Sequence, residues 1–454
     1  MTKGESLETQ LNFKSEQFER PEIVDNILES LKELEPKMES YYTDFHEHPE
    51  LGGREFRTAS KIKQCLEEMG IKILGDKIGI GIGEQGERKE GTGIVAMIEG
   101  KSDGPTVALR ADMDALPITE DKNHEPRSQN EGVMHACGHD AHIAGLLGAT
   151  EILKGLADQD KLDGNIVLIF QPSEEKSFQK QSGAVQIVKF LEKTGLRNKI
   201  GAFLGLHVFR EADRNMINVK EGVQMASSGE VDIILRGPGG HIMNAYELPN
   251  LNEITSAMTV ELSKIFKPMA KEKKALVASG HTQFDKKTYN VLAGETKSTW
   301  VIRITDPNYK DISKDITSQI QDVIQSVITK HLEDRQGNVE VEINKRPGYR
   351  PVTHRDQKLV LLAEQAAKET IPNCENKSEI SMGGEDMSFY FETLRQKQIP
   401  GVFMMVGAAN PDKGYPKGPH HSLDFKIDPK VIKDLAAIHS IFSVKAIEYL
   451  KDKK

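Results

Sequence analysis

Apolar residues first recur at helical spacing at Ile23, Ile27, Leu28, Leu31 and Leu34, which predicts a helix opening at Pro21. A second helix is predicted from Thr58 through Met69, with Gly70 as its C-terminal cap. The period then changes. Gly91 to Ile98 (GTGIVAMI) and Thr106 to Leu109 are short apolar runs bounded by Gly and Pro, as in strands buried on both faces, and Ile166 to Phe170 (IVLIF) and Phe203 to Val208 repeat the pattern. Ile143, Leu146, Leu147 and Leu153 mark an amphipathic helix between them. Strands alternating with helices predict an α/β core.

From Ser227 the character shifts. Val231 to Leu235 reads as a strand, and Leu251, Ile254, Met258, Leu262 and Ile265 line one face of a helix. Thr299 to Ile304 and Asn338 to Ile343 read as strands flanking a helix that includes Ile316, Ile320, Val323 and Ile324. This β, α, β, α, β succession is a complete small α+β layer, so residues 227–343 are expected to form an inserted domain. Helix returns from Lys358 to Thr370, and Val402 to Val406 is a further strand. The main body is expected over 21–226 and 344–454, behind a polar tail of residues 1–20. No internal repeat or low-complexity tract interrupts this plan.

Composition narrows the function class. A chain of 454 residues exceeds one ordinary core, and 37% hydrophobic with 28% charged residues is globular. The net charge of −9 excludes nucleic acid or an anionic membrane as the main partner, leaving room only for a local basic pocket. Met1 to Arg20 holds no apolar run that could serve as a signal peptide, and no stretch approaches the roughly 20 apolar residues that span a bilayer, so a cytoplasmic protein is expected. The three cysteines, Cys65, Cys137 and Cys374, are far apart and odd in number, which fits a reducing compartment.

The chemistry concentrates in His135-Ala136-Cys137-Gly138-His139-Asp140-Ala141-His142. This is either a polar loop around an inert buried Cys or a metal site, since Cys and His are ligands for zinc, manganese, cobalt or iron. Its position ahead of a helix N-terminus favours thiolate and carboxylate. Other strands also end in polar groups. Thr106 to Leu109 leads into Arg110, Asp112 and Asp114, which alternate onto one face, either as a salt bridge bracing the loop or as support for the metal site. IVLIF leads into Gln171-Pro172-Ser173-Glu174-Glu175, whose adjacent carboxylates repel unless a cation or shared proton intervenes. His207 sits in an apolar run, His241 ends RGPGGH, and His420 and His421 lie in GYPKGPHHSLDF. HEHPELGG, at 46–53, reads as a surface turn rather than a ligand set. Chemistry at the carboxyl ends of successive strands is where parallel α/β sheets build sites.

Taken in order, HEHPELGG, RADMDALP, HACGHDAH, QPSEE, GLHV, GGH, MGGEDMSF and HHSLDF resemble the amidohydrolase branch of the aminoacylase and carboxypeptidase-type dinuclear metallopeptidases. That branch includes hippurate hydrolases, N-acyl-amino-acid deacylases, indole-acetyl-amino-acid hydrolases and aminobenzoyl-glutamate hydrolases. The resemblance runs from about Phe45 onward. It implies an α/β catalytic domain of zinc-exopeptidase-like type, with a mixed central sheet flanked by helices, broken by a ferredoxin-like lid that also makes a homodimer. It further implies two divalent ions (Zn, Mn or Co) held by Cys137, His139, Glu175, His207 and His421, with Glu174 as general base. His421 is preferred to His420 because His421-Ser422-Leu423-Asp424-Phe425 has the family's spacing, with Leu423 where Pro is usual. His241 matches the lid His that reaches substrate across the dimer. Asp112 and Asp140 are expected to stand behind the ligands, and His135 outside them.

Two departures stand out. After GGH the family usually continues Ala, Ala, any residue, Pro, His, whereas here Ile242 to Pro249 reads IMNAYELP. The wider family has His, any residue, Asp where Asp112 to Asp114 stand, and the Cys ligand compensates for the missing His. The resemblance implies hydrolysis of the amide of an N-acyl or N-aroyl amino acid. The alternatives are a metallo-dipeptidase or carboxypeptidase, a non-catalytic metal-binding homologue, and a cysteine hydrolase using Cys137 with His139.

Overall fold

The structure, a computed structural model, describes residues 21–101, 104–175, 182–285, 288–391 and 398–453; the tail expected over 1–20 lies outside them. The chain opens with α1 (Pro21–Glu47) and α2 (Phe56–Glu68), then β1 (Lys72–Ile82), β2 (Arg88–Ile98) and β3 (Thr106–Asp112). There follow α3 (His139–Asp158), β4 (Asn165–Gln171), α4 (Gly183–Lys193), β5 (Ile200–Asp213), β6 (Met216–Asn218) and β7 (Gly222–Met225). Next come β8 (Ser227–Arg236), β9 (Gly240–His241), α5 (Leu251–Lys271), β10 (Ala275–Phe284), β11 (Val291–Leu292), β12 (Glu295–Ile304), α6 (Tyr309–His331) and β13 (Glu340–Pro347). The chain ends with β14 (Val352–His354), α7 (Gln357–Thr370), β15 (Glu375–Asn376), α8 (Ser388–Phe391), β16 (Gly401–Ala409) and α9 (Val431–Asp452).

The main sheet is mixed, in the order β1-β2-β4-β3-β5-β16-β6-β15. Its centre, β4-β3-β5-β16, is parallel, and β1, β2 and β6 pair antiparallel. Strand alternation divides the side chains between two cores. Val107, Leu109, Ile166, Leu168, Phe170, Leu204 and Leu206 face α1, α3 and α9, whereas Ala108, Val167, Ile169 and Phe203 face α4 and α8. The same parity carries Arg110 and Asp112 to the second face. Helix α3 packs between α1 and α9, which explains why it is apolar on nearly all sides. Among the described residues no helix is long and apolar enough to cross a membrane.

A second, antiparallel sheet has the order β10-β12-β8-β13 and carries α5 and α6. It has its own core, with Trp300, Ile254, Met258, Ile320 and Ile324 fully enclosed. Strand β10 adds a member to the expected β, α, β, α, β succession. It escapes sequence reading because it is an edge strand whose second half is polar and wet (Ser279, His281, Thr282, Gln283), so only Ala275 and Val277 signal burial.

One expectation is corrected. The HEHPELGG segment is no surface turn at His46, which is 2% exposed, with Nδ1 2.6 Å from Asp140 Oδ2 and Nε2 2.8 Å from Glu120 Oε1. More than three turns beyond Leu34, where the apolar pattern read from the sequence ends, α1 carries this imidazole inward to brace the start of α3. Burial alone would lower the His46 pKa, but the two carboxylates outweigh it and raise the value from 6.5 to about 9. The folded value lies above the ordinary one, so this stabilisation is complete below pH ~6.5 and is lost as pH rises through ~9. His46→Gln should therefore be less stable than wild type near pH 6 and converge with it towards pH ~9.5. Urea unfolding midpoints across that range check this, and parallel curves would refute it.

Candidate metal centre

The parallel strands deliver the candidate residues to one end of the sheet. β3 ends at Asp112, β4 runs into Ser173, Glu174 and Glu175, β5 carries His207, and His139 opens α3 directly after Cys137. Gly138 makes this last junction possible. Its φ is +86°, and a Cβ there would lie 2.2 Å from Val208 Cγ2 of β5.

The ligand atoms of Cys137, His139 and His207 lie within 4.8 Å of one another, and so do those of Cys137, Glu175 and His421. Cys137 belongs to both sets. Its Sγ is 3.4 Å from His207 Nε2, and Glu175 Oε1 is 3.0 Å from His421 Nε2. His139 donates Nδ1–H to the Asp114 carbonyl (2.8 Å), and His207 donates Nδ1–H to the Val208 carbonyl (2.6 Å). Those bonds leave each Nε2 with a lone pair for a ligand role. Among the described residues His139 Nε2 is buried without a hydrogen-bond partner, the condition of a ligand atom awaiting a cation. Burial, then the charges of Glu175 and Glu174, push the Cys137 thiol well up, so a thiolate here requires a positive neighbour. Thiol, imidazoles and carboxylate together suit a pair of divalent ions.

The remaining polar residues of the motif are occupied elsewhere. His142 donates Nδ1–H to Asp112 (2.5 Å) and accepts the Val208 amide at Nε2 (2.8 Å). Asp140 holds His46 and accepts the Ala141 amide (2.9 Å). Both nitrogens of buried His135 lack hydrogen-bond partners among the described residues. Asp112 accepts from Arg110 at 2.7 Å and stands 3.6 Å from His139 Nε2. His420 stacks on His207 with ring centroids 5.5 Å apart and accepts the Arg210 amide at 3.4 Å, whereas the His421 amide donates to the Ala136 carbonyl at 2.9 Å. The loop thus directs His421 to Cys137 and Glu175. Buried Arg210 fixes that loop through Pro416 O (3.1 Å), Ser422 Oγ (3.0 Å) and Asp424 (3.0 Å), holding the Asp424 carboxyl down at about 2. His241 is exposed, in neither ligand set, and accepts the Met243 amide at 3.2 Å.

The acidic turn after β4 is held by Asp114, from the charged face that the sequence already marks, and by Glu55, which sequence reading left without a role. One carboxylate, Asp114, accepts the Glu174 and Glu175 amides, each at 3.0 Å. Glu55, fully buried, accepts the Ser173 amide and the Thr92 hydroxyl, both at 2.8 Å. These bonds hold Ser173 at a φ of +52°. Arg110, also fully buried, binds Asp112, Glu385 (3.1 Å), Asp386 (3.1 Å) and Gln171 (3.0 Å). Glu385 and Asp386 belong to the MGGEDMSF motif; nothing in sequence marks Glu55. Burial, followed by Glu385, Glu175 and Asp386, raises Glu174 well above the carboxylate range. Glu175 is shifted the other way: burial opposes it, but His421 and His139 hold its carboxyl below the ordinary value. Adjacent carboxyls pushed apart in this way can divide the work, one holding protons and one staying charged.

Residues 108–442 match the peptidase family M20/M25/M40. The chain belongs to this family. An IAA-amino acid hydrolase of Arabidopsis thaliana is 31% identical over 420 residues, covering 90% of this chain and 84% of that one. A thermostable carboxypeptidase of Saccharolobus solfataricus is 28% identical, covering 93% of this chain and 99% of that one. Among solved structures, a Bacillus subtilis protein described as a dinuclear metal binding peptidase of the M20 family superposes with a TM-score of 0.69 at 26% identity, covering 92% and 99%. This M20 chain is a metal-dependent hydrolase of amide or peptide bonds, and the donor set above fits a divalent metal pair.

Gly138→Ala tests the junction. Left-handed backbone and the clash with Val208 should together cost about 2–4 kcal/mol. Differential scanning calorimetry should show a lower Tm and elemental analysis a reduced metal content; wild-type values for both would mean that the junction relaxes freely.

Proposed function

We propose that this M20 hydrolase cleaves the amide bond of an N-acyl or N-aroyl amino acid. The observation that carries the reading is the single thiol of Cys137 shared by two ligand sets beside buried Glu174 and half-buried Glu175. In this assignment Cys137, His139, Glu175, His207 and His421 hold two divalent ions. Such ions supply a water of lowered pKa and polarise the amide carbonyl. Glu174 would take a proton from the attacking water and return it to the leaving nitrogen, work suited to a carboxyl whose proton affinity burial has raised. Asp112 and Asp140 stand behind the ligands, Asp112 directly and Asp140 through the start of α3. Residues 227–343 act as a lid, and His241 stabilises the oxyanion from the partner protomer of a homodimer. A cytoplasmic location accords with Cys65, Cys137 and Cys374 all being free thiols.

The name of the Arabidopsis relative supports an N-acyl amino acid substrate. The carboxypeptidase relative favours a second reading, small peptides with a free carboxylate. Assaying the metal-loaded enzyme on a panel of N-acetyl, N-benzoyl and N-indoleacetyl amino acids against dipeptides decides between them. The proposal requires a preference of at least about tenfold in kcat/KM for the acyl amino acids, equal to ~1.4 kcal/mol. Glu174→Gln should keep its metal and lose nearly all turnover on the preferred substrate; normal activity would sink the base assignment.

Because Cys137 is common to both sets, Cys137→Ala should lose metal from both positions on dialysis. Elemental analysis showing full occupancy would remove Cys137 from the ligands. Wild-type activity that resists chelators but falls to thiol alkylation would instead favour a cysteine hydrolase, for which the 3.4 Å neighbour of the thiol is His207 rather than the expected His139.

A further inference from the structure

The chain leaves the main body for the four-stranded layer at Ser227 and Ser228 and returns at Gly348 and Tyr349. The two crossings are bound together. The Ser228 amide donates to the Tyr349 carbonyl (2.8 Å), the Gly348 amide donates to the Ser228 carbonyl (3.0 Å), and the Tyr349 amide donates to Ser228 Oγ (2.7 Å). A Cβ on Gly348 would lie 2.4 Å from Ser228 Oγ, so this close pairing depends on glycine. The crossing is therefore a single unit, and any swing of the layer must pass through it.

Tyr349 projects from that unit into the main body. Its ring is 6% exposed and meets Phe389 edge-on, with centroids 6.1 Å apart and planes at 88°. Its hydroxyl donates to the backbone carbonyl of Glu174 at 2.7 Å. The turn bearing Glu174 is thus gripped on both sides. Glu55 and Asp114 of the main body hold its amides, and the crossover holds its carbonyl. A second contact follows the same route: Arg303 of β12 lies so close to Gly384 that a Cβ there would meet its Nη1 at 2.7 Å, beside Glu385.

We infer that Tyr349 is a positioning residue that ties the orientation of the four-stranded layer to the placement of the Glu174 carboxyl. The inference rests on the reading of Glu174 as general base. An aromatic side chain has two torsions and a rigid body, so displacement of the crossover is passed to the Glu174 peptide rather than absorbed. Ser173, with its left-handed backbone, makes the turn one that relaxes when a restraint is removed.

Tyr349→Phe removes the hydroxyl and keeps the ring. With whichever amide the wild-type enzyme turns over best, kcat should fall about tenfold, the scale of one lost hydrogen bond, with KM within about twofold. Metal content and Tm should match wild type. Hydrogen exchange should quicken in the peptide containing residues 171–175 and stay unchanged in peptides from β8 and β12. Both results are required. An unchanged kcat, unchanged exchange at 171–175, or a loss of activity matched by loss of metal or folded protein overturns the inference. The failures are separable: normal activity in Glu174→Gln sinks the base reading, whereas unchanged exchange in Tyr349→Phe sinks the tether.

Discussion

Buried negative charge is the constraint on which the rest of this structure depends. Glu55, Asp112, Asp114, Glu174, Glu385 and Asp386 are all buried at the carboxyl end of one parallel sheet, with Glu175 beside them. Charges removed from water are tolerated only when paired or hydrogen-bonded. Each is met differently. Glu55 and Asp114 take backbone amides, while Asp112, Glu385 and Asp386 share the Arg110 guanidinium. Glu175 is left with the imidazoles of His421 and His139 and the Cys137 thiol, and Glu174 with carboxyl neighbours and the more distant Arg110 charge. The two carboxyls not neutralised by backbone or arginine are the two assigned to chemistry, and the imbalance there is what a pair of cations would correct.

The same constraint explains which parts were legible in the sequence. A strand buried on both faces is a continuous apolar run, so β3, β4, β5 and β16 announce themselves, and a polar residue directly after such a run is conspicuous. Glu174 and Glu175 stand out in this way, Cys137 by its crowded motif and His207 as a lone imidazole within an apolar run, and the structure gathers Cys137, His139, Glu175, His207 and His421 into two adjoining sets. Glu55 does not stand out, because it precedes an ordinary amphipathic helix and its partner Ser173 is 118 residues distant. Tyr349 is equally silent, since a tyrosine after a Pro and a Gly reads as a loop residue. His46 was misjudged for a related reason: a His before Pro looks solvated until Glu120 and Asp140 arrive from elsewhere in the chain. Local pattern reports burial; it does not report the partner that makes burial bearable.

The second layer shows a different division. Its core is separate, with Trp300 and the isoleucines of α6 enclosed without help from the main sheet. Its exposed features are less regular. The segment after His241, where the chain departs from the family pattern, places Met243 and Tyr246 in solvent at 82% and 79% exposure. Residues that answer to buried charge are constrained from several directions, whereas these two side chains are open to solvent.

Asp112 shows how such constraints decide ligand identity. It occupies the position where the wider family carries a His, and a carboxylate can also bind a metal. Here one oxygen takes Arg110 at 2.7 Å and the other takes His142 at 2.5 Å, and Arg110, His139 and His142 hold its carboxyl well below the ordinary range despite burial. Its acceptor capacity is largely committed before any cation arrives, and moving it towards a metal would take away one of the three carboxylates around the buried Arg110 guanidinium. On the proposed assignment the missing ligand must therefore come from another element. Cys137 would supply it, because Gly138 brings the loop against β5 and the sulfur lies within reach of both ligand sets.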